Sequence, residues 1–186
     1  MDFMELAKRR CSVRAYEDRK VEPEKLERIL EAARIAPTAK NLQPVKLLAV
    51  QSGEGLEKVG KAANIYGAPL AIIVCADHQR AWTRPFDSKR STDIDASILT
   101  DHMMLEATEL GLGSVWICFF KPDVLREEFS LLISVLAGLL AMTLYSAPMW
   151  WGVLFSPLTQ PLTQQGALHL EHLAVPPGQH VLEDVV

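Results

Sequence analysis

Two short runs of branched apolar residues, 45–50 and 70–75, constrain the fold most. Each is too short for a buried helix and too apolar for a surface segment. Both therefore read as strands covered on their two faces. The second follows Gly67, Ala68 and Pro69, which break whatever precedes it. Helical patterns flank the strands. Over residues 21–36, Leu26, Ile29, Leu30 and Ala33 recur at three- and four-residue steps. Pro23 stands near the first turn and Pro37 just past the end. Residues 56–66, 93–110 and 122–129 are the other helical candidates. In the second of these, Thr92 or Asp93 can cap the start and Gly111 can end the helix. Its apolar residues cover more than one stripe, which places it centrally or at a subunit interface. His102 and Met104, inside it, read as packing residues. Residues 115–118 are a third strand candidate, and 77–93 are polar and irregular, with Trp82 and Arg84 as rim residues.

The chain has 186 residues, enough for one domain with a real core. A net charge of −4 argues against nucleic acid as a partner. Cys11, Cys75 and Cys118 are odd in number and widely spaced, giving neither a disulfide framework nor a metal pattern. They fit a reducing cytoplasm, and the charged N-terminus gives no sign of a signal peptide. After Arg126 there is no further Lys or Arg, and residues 131–155 carry no charge. That length allows a membrane span. Gly138, Ser146, Pro148 and Gly152 interrupt it, however, and no basic loop flanks its C-terminal side. A buried strand near residues 139–144, a turn at Pro148 and an extended tail are expected instead. The tail is atypical of the rest of the domain.

Two polar stretches carry the candidate chemistry. Arg9, Arg10 and Arg14, with the hydroxyl of Ser12 among them, concentrate three guanidinium groups in an otherwise acidic chain. A planar guanidinium fork, always charged, suits phosphate recognition. Residues 36–44 set Thr38, Asn41 and Gln43 between two prolines, Pro37 and Pro44. Amide side chains both donate and accept, as reading the edge of a heteroaromatic ring requires. Gly111 and Gly113 form only half of a dinucleotide fingerprint, so a Rossmann site is not expected.

The order of four stretches resembles the nitroreductase family of flavin enzymes. They are the arginine cluster continued through Ala15 and Tyr16, the loop 36–44, the Gly67-Ala68-Pro69 break before an apolar strand, and residues 95–117. The resemblance covers residues 1–129. It implies an α+β fold, with a mainly antiparallel sheet between helices, in an intertwined homodimer holding FMN at its interface. It also implies ping-pong transfer of a hydride from NADH or NADPH through the flavin to a nitro compound, quinone or similar small molecule. Carried over by position, Arg10, Cys11, Ser12 and Arg14 hold the FMN phosphate and ribityl chain, Cys11 through its backbone. Pro37, Thr38, Ala39 and Asn41 reach the flavin of the other subunit, and Gln43 holds that loop. Ile117, Cys118 and Phe119 face the reactive edge of the flavin. The flavin carries the difficult electronics, so no catalytic side chain and no metal are expected.

The chain departs from the family at four places, one being Thr143-Leu144-Tyr145 where a Gly-Tyr-Pro turn is usual. Val45 stands where a Trp is usual, and Cys118-Phe119 where Gly-Gly is common. The tail also lacks the basic residues that usually complete the phosphate site, so weaker phosphate affinity is expected. Phe119 and the tail leave open a flavin-binding protein without turnover. A tethered helical interaction protein and a flavin-destructase on this fold are further alternatives.

Overall fold

In the computed structural model, which describes residues 2–131 and 135–144, every residue of the 70–76 run is buried. Helices cover both of its faces. In chain order the elements are α1 (Phe3–Arg9), α2 (Pro23–Ile35), a 3-10 turn (Ala39–Asn41), β1 (Val45–Val50), α3 (Gly53–Ala62) and β2 (Leu70–Ala76). Then come α4 (Thr92–Glu109), β3 (Leu112–Ile117), α5 (Pro122–Glu128) and β4 (Val135–Leu144). The sheet order is β1-β2-β4-β3, and every neighbouring pair is antiparallel. A Rossmann crossover needs parallel strands, so that reading is excluded. The expected α+β architecture is what the chain adopts.

Period-two alternation divides the core between the two faces. Leu70, Ile72 and Val74 pack with Ile29 of α2 and with Leu99 and Met103 of α4. Ala71, Ile73 and Cys75 pack on the other side with Val59 of α3, Val115 and Leu125 of α5. Fully burying one such aliphatic side chain is worth about 1.5–3 kcal/mol.

Within the uncharged stretch 131–155, residues 135–144 enter this sheet as β4, between β2 and β3. A strand hydrogen-bonded to neighbours on both sides is a poor place for charge, in keeping with the uncharged sequence 131–155. Among the described residues no helix is long and apolar enough to cross a membrane. The turn expected at Pro148 and the tail beyond it lie outside the described residues. The described residues themselves fall within one compact unit, Met1–Ser146.

Several boundaries differ from the sequence expectation. The third helix begins earlier, at Gly53, because Ser52 caps it by accepting the Gly55 N–H, and it ends at Ala62 rather than near residue 66. Asn64 then takes the Tyr66 N–H on its side chain, and Tyr66 adopts φ 56°, which no helix continues. The α4 cap is Ser91, not Thr92 or Asp93. β3 starts at Leu112 and stops at Ile117, leaving Cys118 outside it. His102 is satisfied within its own helix, 2.9 Å from the Ile98 carbonyl.

Candidate functional site

The arginine cluster is placed by β3. α1 is capped at its start by Asp2, whose carboxylate accepts the Glu5 N–H at 2.9 Å. The chain then leaves the helix at Arg10 and runs extended. Ser12 pairs in parallel with Ser114, and the Val13 N–H donates to the Ser114 carbonyl at 2.9 Å. Val13 turns inward, only 5% exposed. Its carbonyl accepts the Tyr16 hydroxyl at 2.8 Å, and burial pushes the Tyr16 phenol up from its ordinary pKa. With Val13 turned in, alternation turns its neighbours Ser12 and Arg14 out, and both are exposed; Arg10 is half-buried.

Arg19, Arg28, Arg34, Arg84 and Arg126 each sit in an ion pair. Among the described residues, Arg10 and Arg14 do not. The Arg14 guanidinium approaches the Ser12 carbonyl at 3.5 Å, at the limit of a hydrogen bond, and its charge is felt by the nearby Tyr16 phenol. In a chain of net −4, these two cations are left available to an anion.

The end of β3 carries the second group. Ile117 is buried, Cys118 is exposed and Phe119 is 96% exposed. The Lys121 N–H donates to the Ala62 carbonyl at 3.0 Å, fastening this segment to the end of α3. Between them lies a cleft of about 400 Å³, whose lining includes Lys61, Asn64, Tyr66, Ile117, Phe119 and Lys121. That volume lies within the range of small-molecule sites, which combine apolar walls with a few polar groups. Lys61 is also paired with Glu128 at 2.7 Å. The sequence reading named Ile117 and Phe119 but missed Lys61, Asn64 and Tyr66. They lie more than fifty positions upstream, inside the expected helix 56–66, where nothing local marks them as site residues. Ser114 and Ile117 are three residues apart on one strand, roughly 10 Å. The arginine segment and the cleft therefore share one sheet edge.

The loop with Pro37, Thr38, Ala39, Asn41 and Gln43 lies elsewhere. It leads into β1, the opposite edge strand, three strand spacings or about 14 Å from β3. Within one chain the loop and the other two segments are carried on opposite edge strands of the sheet. Lys40, Asn41 and Gln43 all have positive φ, at 52°, 52° and 46°. Left-handed backbone is costly for residues other than glycine and persists only where surrounding contacts enforce it. Here Thr38 Oγ1 accepts the Gln43 N–H at 3.1 Å, and Gln43 Nε2 donates to Asn41 Oδ1 at 2.9 Å. Asn41 is thereby oriented while remaining exposed. Asp95, at the start of α4, accepts the Ala39 N–H at 2.9 Å. The sequence reading gave Asp95 no role beyond its helix.

Comparison with known proteins identifies the family. The sequence model of the Nitroreductase family matches residues 7–65 and 57–143. A nitroreductase family protein of known structure from Clostridium difficile 630 is 59% identical, with a TM-score of 0.77, over 80% of this chain and 87% of that one. An FMN-dependent nitroreductase from Clostridium difficile R20291 is 29% identical, with a TM-score of 0.65, over 78% and 89% of the two chains. A protein from Methanothermobacter thermautotrophicus named "Putative NADH dehydrogenase/NAD(P)H nitroreductase" is 34% identical over 139 residues, 73% of this chain and 70% of its own length. With the match running from α1 through β4 and the same fold in its relatives, this chain belongs to the nitroreductase family.

Proposed function

We propose that this protein is an FMN-dependent NAD(P)H oxidoreductase that acts as a homodimer on small electron acceptors such as nitro compounds or quinones. The observation that carries the reading is the shared edge of β3, with arginines lacking carboxylate partners at one point and an aromatic-lined cleft at its end. The residues present fit the cofactor's parts. Arg10 and Arg14 offer charge-assisted donors to a phosphate dianion, with the Ser12 hydroxyl beside them. Tyr66, Ile117 and Phe119 offer apolar surface to a flat ring. Asn64, Lys61 and Lys121 offer donors to its oxygens.

Bound FMN would supply the hydride-accepting and electron-donating chemistry, in a ping-pong cycle. The protein's part is to hold the phosphate, orient the ring and exclude water. Loop 37–43, distant from the cleft in its own chain, is suited to complete the site of the second subunit, with Asn41 leading. The relative described as FMN-dependent supports the cofactor assignment. Freshly purified protein should be yellow, with an oxidised-flavin spectrum, and should oxidise NADH or NADPH when a quinone or nitroaromatic is added. Protein that is colourless and binds no added FMN would overturn the proposal. A second reading has one specific support. Phe119, almost wholly exposed beside the cleft, stands where the family often has glycine, and it could bar a nicotinamide. Bound FMN with no NAD(P)H oxidation under any acceptor would select that reading.

A further inference from the structure

We infer that Asp95 is a positioning residue that locks loop 37–43 into the shape in which Asn41 is presented. The inference rests on the proposed cofactor reading for its functional consequence, though not for its structural one. Asp95 is only 1% exposed. Its Oδ1 accepts the Ala39 N–H at 2.9 Å, and its Oδ2 accepts the Ser91 hydroxyl at 2.7 Å. Among the described residues it has no cationic partner. Its compensation is the two hydrogen bonds it accepts, together with its place in the first turn of α4, where the helix dipole favours negative charge.

A buried carboxylate without a counter-cation is expensive to keep. What this one holds is the backbone immediately before the left-handed residues Lys40 and Asn41. The loop's other hydrogen bonds, including Gln43 N–H to Thr38 Oγ1, Gln43 to Asn41, Asn41 N–H to the Thr38 carbonyl and Leu42 N–H to the Ala39 carbonyl, are internal to it. They fix its shape without fixing its place on the fold. Asp95 ties that preformed loop to the central helix, so the α4 start and the amide of Asn41 move as one body.

The test compares Asp95→Ala, Asp95→Asn and Asn41→Ala in the full chain. Hydrogen exchange of peptides spanning residues 37–43 is read in the absence of FMN, and FMN affinity is measured by titration of the apo-protein. Asp95→Ala should speed exchange in that segment while leaving β2 protected, and should weaken FMN binding by about tenfold. Asp95→Asn keeps an oxygen acceptor for Ala39 and should restore both readouts. Combined with Asn41→Ala, Asp95→Ala should add little further loss, because both act through one group. Wild-type exchange in Asp95→Ala, or fully additive losses with Asn41→Ala, would overturn the inference. If Asp95→Ala does not fold, Asp95→Ser, too short to reach Ala39, replaces it with the same expectations. Wild-type protein that binds no FMN would defeat the proposed function, while the exchange measurement still decides the anchor.

Discussion

Arg14→Ala separates binding from folding more cleanly than any other change in this protein. The side chain is exposed, has no ion-pair partner among the described residues, and approaches the Ser12 carbonyl only at 3.5 Å, the limit of a hydrogen bond. Its removal should leave the stability of the flavin-free protein within about 0.5 kcal/mol of wild type, as for other surface positions without special contacts. The loss should fall on FMN. One charged phosphate contact is worth about 1.5–3 kcal/mol, which corresponds to roughly a 10- to 150-fold rise in Kd. Arg14→Lys keeps the charge but loses the planar fork, so its loss should be smaller without vanishing. Raising salt from 0.15 M to 1 M shortens the screening length from about 8 to about 3 Å and should narrow the gap between wild type and Arg14→Ala. The assay is quenching of flavin fluorescence on titration of apo-protein, with a denaturation curve of each variant alongside. A wild-type Kd in Arg14→Ala would refute the phosphate assignment. A large drop in apo-protein stability would show instead that Arg14 holds the fold.

Other outcomes follow from the core and the thiols. Ile72→Ala, at a wholly buried site on a strand with neighbours on both sides, should cost about 2–5 kcal/mol in denaturant titration; a loss below about 1 kcal/mol would contradict the packing described. Thiol reagents should label exposed Cys118 and half-buried Cys11 in the folded protein and reach Cys75 only on unfolding, as counted by intact mass. Burial alone pushes the Cys75 thiol up to about 11 from an ordinary value near 9. The fold therefore favours the neutral thiol. That contribution is complete below pH 9 and is lost as pH rises from 9 towards 11, because only the unfolded chain ionises there. Cys75→Ala should flatten this part of the alkaline stability profile, and an unchanged slope would count against the assignment.

Local chemistry made much of this protein legible in advance. The 70–76 strand announced itself because branched residues without charge fit only a doubly covered strand. The α2 helix did so because Pro23 and Pro37 punctuate a clean helical period. The arginine cluster and the amide-bearing loop were visible as residue types suited to phosphate and ring edges. Tertiary structure decided the rest. Whether residues 131–155 led to a membrane or a sheet depended on partners, and β2 and β3 supplied them for residues 135–144. Lys61, Asn64 and Tyr66 joined Ile117 and Phe119 only because α3 ends beside the end of β3. Asp95 looked like any acid in a first helical turn until folding brought Ala39, fifty-six residues earlier, against it. Sequence states which groups a chain can offer, since that is set by covalent chemistry and local periodicity. Which groups meet is set by packing between distant segments, and no local pattern encodes it.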